Sequence, residues 1–236
     1  MAHTQKLEEK DLRNKKNLAH IIHDGRFKVA IFGSARIWPE SSAYGEISDF
    51  SKNLAMKNYD IVTGGGPGAM EAASKWHHLA CEKHGTSQAI GVNIELPFEQ
   101  EPNAYLDITE TNSTFWARLD TFMLLSHVFV VTPGGIGTLL ELFYTWQLMQ
   151  VGHICHAPII LVGSDYKVLQ NYIQSSLVEK WFVKPREAEL VIQVDTYGEA
   201  LSLIDEAYKA HEQLGEKACV NIHQYLAGAR NLGLID

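Results

Sequence analysis

The chain has few of the features that mark secreted or membrane proteins. Its 236 residues include 3 cysteines, at positions 81, 155 and 219. Three widely spaced cysteines do not make a disulfide-stapled scaffold, so a reducing cytoplasm is the predicted compartment. The first 26 residues carry charges throughout and lack the apolar core of an export signal.

Long apolar runs are also missing. Residues 121–140 contain no formal charge, but Ser126, His127 and the turn at 133–135 interrupt them. A membrane-spanning helix needs about 20 predominantly apolar residues in one continuous run. No membrane segment is therefore predicted.

Cations are scarce, with 20 Lys and Arg against 28 Asp and Glu and a formal net charge of −8. Nucleic acids and anionic membranes select basic surfaces, so neither is a predicted partner. An acidic chain can still bind a small anion if one pocket is locally positive.

Short apolar runs alternate with helical stretches along the chain. Strands are predicted at 28–32, 60–63, 88–94, 105–109, 127–132, 158–162 and 190–194, and helices at 42–57, 69–84, 112–125, 137–150, 166–179 and 199–213. Strands that are apolar on both faces indicate an α/β fold, a doubly wound, mostly parallel Rossmann-like sheet with helices on both faces. We expect one domain over 27–215, a helical extension over 1–26 and a tail over 216–236.

Three glycine-rich loops each join a predicted strand to a predicted helix, at 33–36, 64–68 and 133–138. Ligands in doubly wound sheets bind beyond the carboxyl ends of the strands. Glycine allows close backbone approach, and a helix start supplies free N–H groups and positive potential. Any one loop could be only a tight turn, but three at one sheet edge favour an anion site.

The common nucleotide motifs do not fit these loops. None contains the Gly-Lys-Ser/Thr of a P-loop, and the second strand ends in Thr63–Gly64 without the acid of a dinucleotide site. An NAD-dependent oxidoreductase is therefore disfavoured, and the phosphate of a mononucleotide suits the loops better.

No metal or cofactor is predicted. The pairs His20/His23 and His153/His156 have metal-compatible spacing, but neither has a third ligand nearby. The glycine loops contain no lysine that could form a Schiff base with pyridoxal phosphate.

Two charged residues are candidates for chemistry. Glu141 follows the third glycine loop, where a carboxylate is unfavourable beside a bound anion unless it reacts or has a cationic partner. The alternative is a first-turn Glu that complements the helix dipole. Arg118 lies in a largely apolar predicted helix, and it could simply pair with Asp120 or another acid.

These segments resemble the LOG (Lonely Guy) family of nucleoside 5′-monophosphate phosphoribohydrolases, long mislabelled as lysine decarboxylases. The resemblance rests on Phe32–Arg36, Thr63–Ala73, Gly91–Gln100, and Arg118 with Pro133–Glu141. The family motif PGGxGTxxE is matched in full, and Arg118 lies 15 positions before Pro133.

The resemblance implies an enzyme that hydrolyses the N-glycosidic bond of a nucleoside 5′-monophosphate, of the AMP or cytokinin riboside monophosphate type. The products are a free base and ribose 5-phosphate. It implies Arg118 and Glu141 as catalytic residues and a homodimer or higher homo-oligomer with sites near the subunit contact. The implied substrate-binding residues are Gly33, Ser34, Arg36, Gly65, Gly66, Gly68, Met70, Pro133, Gly134, Gly135, Gly137 and Thr138. Phe115 or Trp116 could meet the base or belong to the core.

The chain departs from the family pattern at two positions. Leu119 stands where Lys or Arg is common, and Leu140 stands where Asp or Glu is usual. Each departure removes a charge expected beside the pocket. The alternative function is therefore a non-catalytic nucleotide-binding or sensor protein on the same fold.

Overall fold

The computed structural model describes residues 20–95 and 101–214. Residues 1–19 of the predicted N-terminal extension, residues 96–100 of the family-like run, and residues 215–236, with the predicted tail, lie outside the described ranges. Residues 20–22 are helical.

Seven strands form a single sheet in which every recorded pairing is parallel. The strands are β1 (Lys28–Phe32), β2 (Asp60–Thr63), β3 (Ala89–Ile94), β4 (Ile108–Asn112), β5 (Val128–Val131), β6 (Ile159–Val162) and β7 (Val191–Val194). Their order is β4-β3-β2-β1-β5-β6-β7. The predicted doubly wound α/β fold is confirmed.

The strand β4 lies three residues further along the chain than the predicted strand at 105–109. Asp107 directly precedes β4, and its carboxylate accepts the N–H of Ala89 at 2.7 Å while its own N–H donates to the Ala89 carbonyl. These bonds fix the segment before β4 to β3, and the paired residues begin at Ile90 and Ile108.

Helices cover both faces of the sheet. They are α1 (Ser42–Met56), α2 (Ala69–His84), α3 (Phe115–Leu125), α4 (Ile136–Gln150), α5 (Lys167–Tyr172), α6 (Pro185–Ala188) and α7 (Tyr197–Leu214). The core cluster on one face includes residues of α1, α2 and α7, and the cluster on the other includes residues of α3 and α4. Alternate residues of β1 enter the two clusters, with Val29 in the first and Ala30 in the second.

The predicted helix at 166–179 is helical as expected, but its hydrogen-bond pattern changes along its length. A 3₁₀ turn (Ser164–Tyr166) precedes α5, and a π-helical segment (Ile173–Val178) follows it. In the π segment the N–H of Glu179 donates to the carbonyl of Gln174, one residue beyond the α-helical partner. The short helix α6 was not predicted, because four residues leave no periodic signal.

The topology places a crevice between β1 and β5. The chain winds outward from β1 through β2 and β3 to β4, and then returns to β5 on the other side of β1. Helix α1 follows β1 on one face, whereas α4 follows β5 on the opposite face. The loops at the carboxyl ends of β1 and β5 therefore diverge, as in other doubly wound sheets that bind ligands there.

Two further features bear on the sequence expectations. Of the cysteines within the described ranges, Cys81 is a free thiol. Among residues 20–95 and 101–214, no helix combines the length and apolarity needed to cross a bilayer.

Candidate active site

The three glycine loops meet at one edge of the sheet. A Cβ atom added at Gly33 would lie 2.2 Å from Thr132 Oγ1 and 2.6 Å from the Ala69 side chain. Gly33 therefore contacts the start of the third loop and the start of α2 at once. Only glycine allows three backbone segments to approach so closely.

Backbone hydrogen bonds fix the loops to one another. The N–H of Ser34 donates to the Pro133 carbonyl at 3.2 Å, and the Ser34 carbonyl accepts the N–H of Ala69 at 2.9 Å. A Cβ at Gly68 would lie 2.5 Å from that same Ser34 carbonyl. Ser34 thus joins the first loop to the other two, which brings most of the predicted phosphate-binding residues together.

The N-terminus of α4 is open to an anion. Its N-cap is Gly135, which has no side chain to bind the first N–H groups, and its first turn carries no acidic residue. The unneutralised N–H groups leave about half a positive charge at this helix end. Gly134, Gly135 and Gly137 are exposed, and nothing lies within 4 Å of a Cβ built at Gly135 or Gly137.

Arg118 and Glu141 form an ion pair beside these loops. Arg118 Nη2 lies 3.2 Å from Glu141 Oε1, and the two side chains are 14% and 10% exposed. The alternative pairing of Arg118 with Asp120 is wrong, because Asp120 accepts a hydrogen bond from the Tyr144 hydroxyl at 2.7 Å.

The guanidinium of Arg118 is held on several sides. Its Nε donates to the Val92 carbonyl at 2.9 Å, and its Cζ lies 5.4 Å from the ring centre of Phe122. A Cβ at Gly64 would lie 2.4 Å from Arg118 Nη2 and 2.6 Å from Met70 Sδ. The second glycine loop therefore forms the wall against which Arg118 packs.

Glu141 is a buried carboxylate rather than a solvated first-turn glutamate. Burial raises its pKa to about 7, and the nearby Arg118 guanidinium opposes the rise. A carboxyl with a pKa near neutrality can exchange a proton at physiological pH, which is typical of catalytic acids and bases.

Most of the remaining predicted site residues lie against Arg118 or in the third loop, whereas the side chain of Arg36 is exposed to solvent. Gly65, Gly66 and Met70 lie in or next to the loop that backs Arg118, and Thr138 is buried beneath Gly134. Arg36 lies in the first loop, but its side chain is exposed and forms no ion pair within the described part of the chain. Its backbone N–H instead donates to the Ser34 hydroxyl at 3.0 Å.

The structure shows how far two aromatic residues and two leucines near the site are buried. Phe115 and Trp116 are both exposed, so the interpretation of either as a core residue is wrong. Leu119 is 1% exposed and packs inside the protein, whereas Leu140 is exposed on α4. The side chain at 119 therefore does not line an open pocket.

Sequence reasoning missed three contributors to this site. Gly64 and the Val92 carbonyl both contact Arg118. Asn93, beside Gly65, has a buried side-chain oxygen that finds no hydrogen-bond partner among the described residues. The Gly64–Gly68 run gave a signal for Gly64, but a strand carbonyl leaves no signal in a sequence. Within the described ranges, no group of three or more His, Cys, Asp or Glu could hold a metal ion.

The family model described as "Possible lysine decarboxylase" matches residues 68–204. The chain belongs to this family, the LOG family. It is 27% identical over 203 residues to cytokinin riboside 5′-monophosphate phosphoribohydrolase LOG3 of Arabidopsis thaliana, an alignment that covers 81% of this chain and 88% of the relative.

A second relative is a bacterial enzyme. The chain is 30% identical over 136 residues to the pyrimidine/purine nucleotide 5′-monophosphate nucleosidase of Escherichia coli K12, which covers 53% of this chain and 30% of that protein. Both relatives carry enzyme names, and the expectation that this chain is an enzyme is confirmed.

Solved structures share the fold. The X-ray structure of TM1055 has a TM-score of 0.58 at 23% identity and covers 76% of this chain and 98% of that one. The molybdenum cofactor binding protein of Rippkaea orientalis has a TM-score of 0.58 at 20% identity, with 76% and 96% covered. At such identities the likeness establishes the architecture alone.

The packing around Gly65 yields a stability prediction. Its φ is +70°, and an added Cβ would lie 2.0 Å from Asn93 Oδ1. Gly65→Ala should therefore lower the free energy of unfolding by about 2 kcal/mol, through backbone strain and overpacking. Gly137→Ala, at an open helical position, should not lower it. Urea denaturation of both variants checks this, and equal stability of the two would contradict it.

Proposed function

We propose that this LOG-family enzyme hydrolyses the N-glycosidic bond of a nucleoside 5′-monophosphate, with AMP or a cytokinin riboside monophosphate as the substrate. The observation that carries the proposal is the buried Arg118–Glu141 pair beside an uncapped helix N-terminus. The names of the two relatives, a phosphoribohydrolase and a nucleosidase, support the same reaction.

The 5′-phosphate binds at the third glycine loop. Backbone N–H groups at the exposed start of α4 face the anion, and the Thr138 hydroxyl lies directly beneath Gly134. The positive end of the helix therefore replaces a lysine. Fixing the phosphate orients the ribose and holds its C1′ atom near Glu141, which turns part of the binding energy into correct geometry for reaction.

Hydrolysis then proceeds by attack of water on C1′. The ionised Glu141 stabilises the positive charge that develops on the ribose, and it accepts a proton from the attacking water. The water oxygen forms a bond to C1′ as the C1′–N bond breaks, and the electron pair of the C1′–N bond leaves with the base. The base nitrogen then takes up the proton that Glu141 received from the water. Arg118 holds ribose or phosphate oxygens and favours the ionised form of Glu141.

The alternative is a sensor that binds the nucleotide without turnover. Leu140 in place of an acid is the feature that favours it, because one charge near the pocket is absent. Leu119 does not add to this alternative, since it is buried in the core.

An activity assay on a panel of nucleoside monophosphates distinguishes the hydrolase from the sensor. Wild-type protein should release base and ribose 5-phosphate from at least one substrate, measured by chromatography. Glu141→Gln and Arg118→Ala should each reduce kcat/KM by roughly 100-fold or more, since general acid–base groups contribute about 10²–10⁴.

Matched controls are Glu179→Gln and Arg186→Ala, whose side chains are exposed. These variants should keep wild-type activity. Nucleotide binding without turnover across the whole panel would favour the sensor.

The pH dependence of activity should report Glu141. Its pKa is raised to about 7, and the reaction needs the ionised form, so kcat/KM should fall as pH drops below about 7. The substrate phosphate also titrates, with a pKa near 6. This pKa is therefore held constant when kcat/KM profiles from pH 5 to pH 9 are fitted. A profile without a limb near pH 7, as expected if the pKa of Glu141 kept its ordinary value near 4.5, would contradict the assignment.

We further propose that the enzyme is a homodimer or higher homo-oligomer. Ile136, Leu140 and Phe143 lie on one side of α4 and are 84%, 45% and 41% exposed. The exposed Trp116 of α3 lies beside them, since its ring is 6.0 Å from that of Tyr144. We call these four residues the α3–α4 face. A contiguous exposed apolar surface of this kind marks an interaction site.

This face adjoins the site, because Leu140 directly precedes Glu141. Sedimentation velocity should give at least twice the chain mass of 26.4 kDa. Ile136→Glu should shift the protein toward the monomer, since it places a charge in the buried interface. Monomeric wild-type protein at micromolar concentration would contradict the proposal.

A further inference from the structure

The second glycine loop is held by a residue outside the family motif. The backbone N–H of Asn103 donates to the Gly65 carbonyl at 2.8 Å, and its side-chain Nδ2 donates to the Gly66 carbonyl at 3.1 Å. Its Oδ1 accepts the N–H of Tyr105 at 3.2 Å. Asn103 therefore binds two consecutive carbonyls of the loop and fixes its own conformation with the third bond.

The loop has no room on its other side. Gly65 packs against Asn93, and its N–H donates to Thr63 Oγ1 at 3.1 Å. A Cβ at Gly65 would also lie 3.2 Å from Leu106 Cδ1. Hydrogen bonds from Asn103 and this packing together restrict the position of the loop.

The position of the loop matters because Gly64 backs Arg118. The Nη2 atom occupies the space that a Gly64 side chain would take, and the same Nη2 pairs with Glu141. The other polar contact of the guanidinium, from Nε to the Val92 carbonyl, does not fix Nη2 by itself. A displaced loop would leave the catalytic end of Arg118 without support.

We propose that Asn103 is a positioning residue of the active site, which holds the second glycine loop against the guanidinium of Arg118. The inference rests on the proposed hydrolase function. Asn103 touches neither Arg118 nor Glu141 and acts through the carbonyls of Gly65 and Gly66.

Two substitutions distinguish the side-chain donor of Asn103, which binds Gly66, from its acceptor, which binds Tyr105. Asn103→Ala removes both side-chain bonds, whereas Asn103→Asp keeps the acceptor for Tyr105 and replaces the donor to Gly66 by a charged oxygen that repels this carbonyl. Both should lower kcat/KM about three- to tenfold, the usual effect of one lost hydrogen bond. Asn53→Ala is the matched control, because its exposed amide binds only the Asp49 carbonyl within α1.

The pH dependence of kcat/KM tests positioning directly, because a residue that only stabilises the fold would not change the pH of the acid limb. Arg118 is the charged group that faces Glu141 from helix α3 and lowers the pKa of this carboxyl. A less well held Arg118 should shift the acid limb of kcat/KM to higher pH in both Asn103 variants. The limb should stay in place in Asn53→Ala.

Several outcomes would overturn the inference. One is wild-type behaviour of Asn103→Asp together with a defect in Asn103→Ala, which would leave Asn103 as a turn residue only. Another is a lowered melting temperature with an unmoved acid limb, which would make its role structural.

Calorimetric titration with AMP measures binding without turnover, so it tests the role of Asn103 separately from the proposed hydrolysis. If wild-type protein binds AMP without hydrolysing it, weaker binding by Asn103→Ala supports the inference while the hydrolase proposal fails. Normal turnover and normal binding in both Asn103 variants would overturn the inference and leave the hydrolase proposal standing.

Discussion

The ion pair between Arg118 and Glu141 is the interaction on which the site depends. A carboxylate as buried as Glu141 is costly unless a cation lies close to it, and Arg118 lies at 3.2 Å. The two residues belong to α3 and α4, which pack on the same face of the sheet. Their separation is therefore set by how two helices pack on the strands. Burial and the cation act in opposite directions on Glu141, and the balance leaves its pKa near neutrality.

The second constraint is the supply of positive charge. The chain carries a net charge of −8, and residues 84–166 contain one Lys or Arg, Arg118. An anion site in this segment must therefore draw on backbone N–H groups and helix dipoles. The parallel sheet provides them, because every strand of the central crevice ends in a loop that starts a helix. Glycines at 33 and 68 allow these loops to approach within contact distance of one another, and Gly64 leaves room for the guanidinium of Arg118.

Much of the fold could be read from local patterns. Apolar runs bounded by glycine located the strands of the sheet, and the boundaries erred where a tertiary contact decided them. Asp107 is an example, since it bonds to Ala89 of β3 although the paired residues of β4 begin at Ile108. The predicted helix at 166–179 is another, because its π-helical segment differs from an α-helix only in which carbonyl each N–H binds. The exposure of Trp116 and the burial of Leu119 were not predictable, since neighbouring residues of one helix face different surroundings.

The sequence alone determined the architecture, the three glycine loops at one sheet edge and the two charged residues beside them. These are consequences of periodicity, of glycine's conformational freedom and of motif spacing, all of which are local along the chain. Only the tertiary structure decided that Arg118 pairs with Glu141 and not with Asp120, and that Gly64 and the Val92 carbonyl support the guanidinium. It also decided that Asn103 binds the second loop across about 37 residues of sequence. The ion pair, its burial and the raised pKa of Glu141 depend on contacts between residues that are distant in the sequence. The packing of the helices on the sheet determines those contacts.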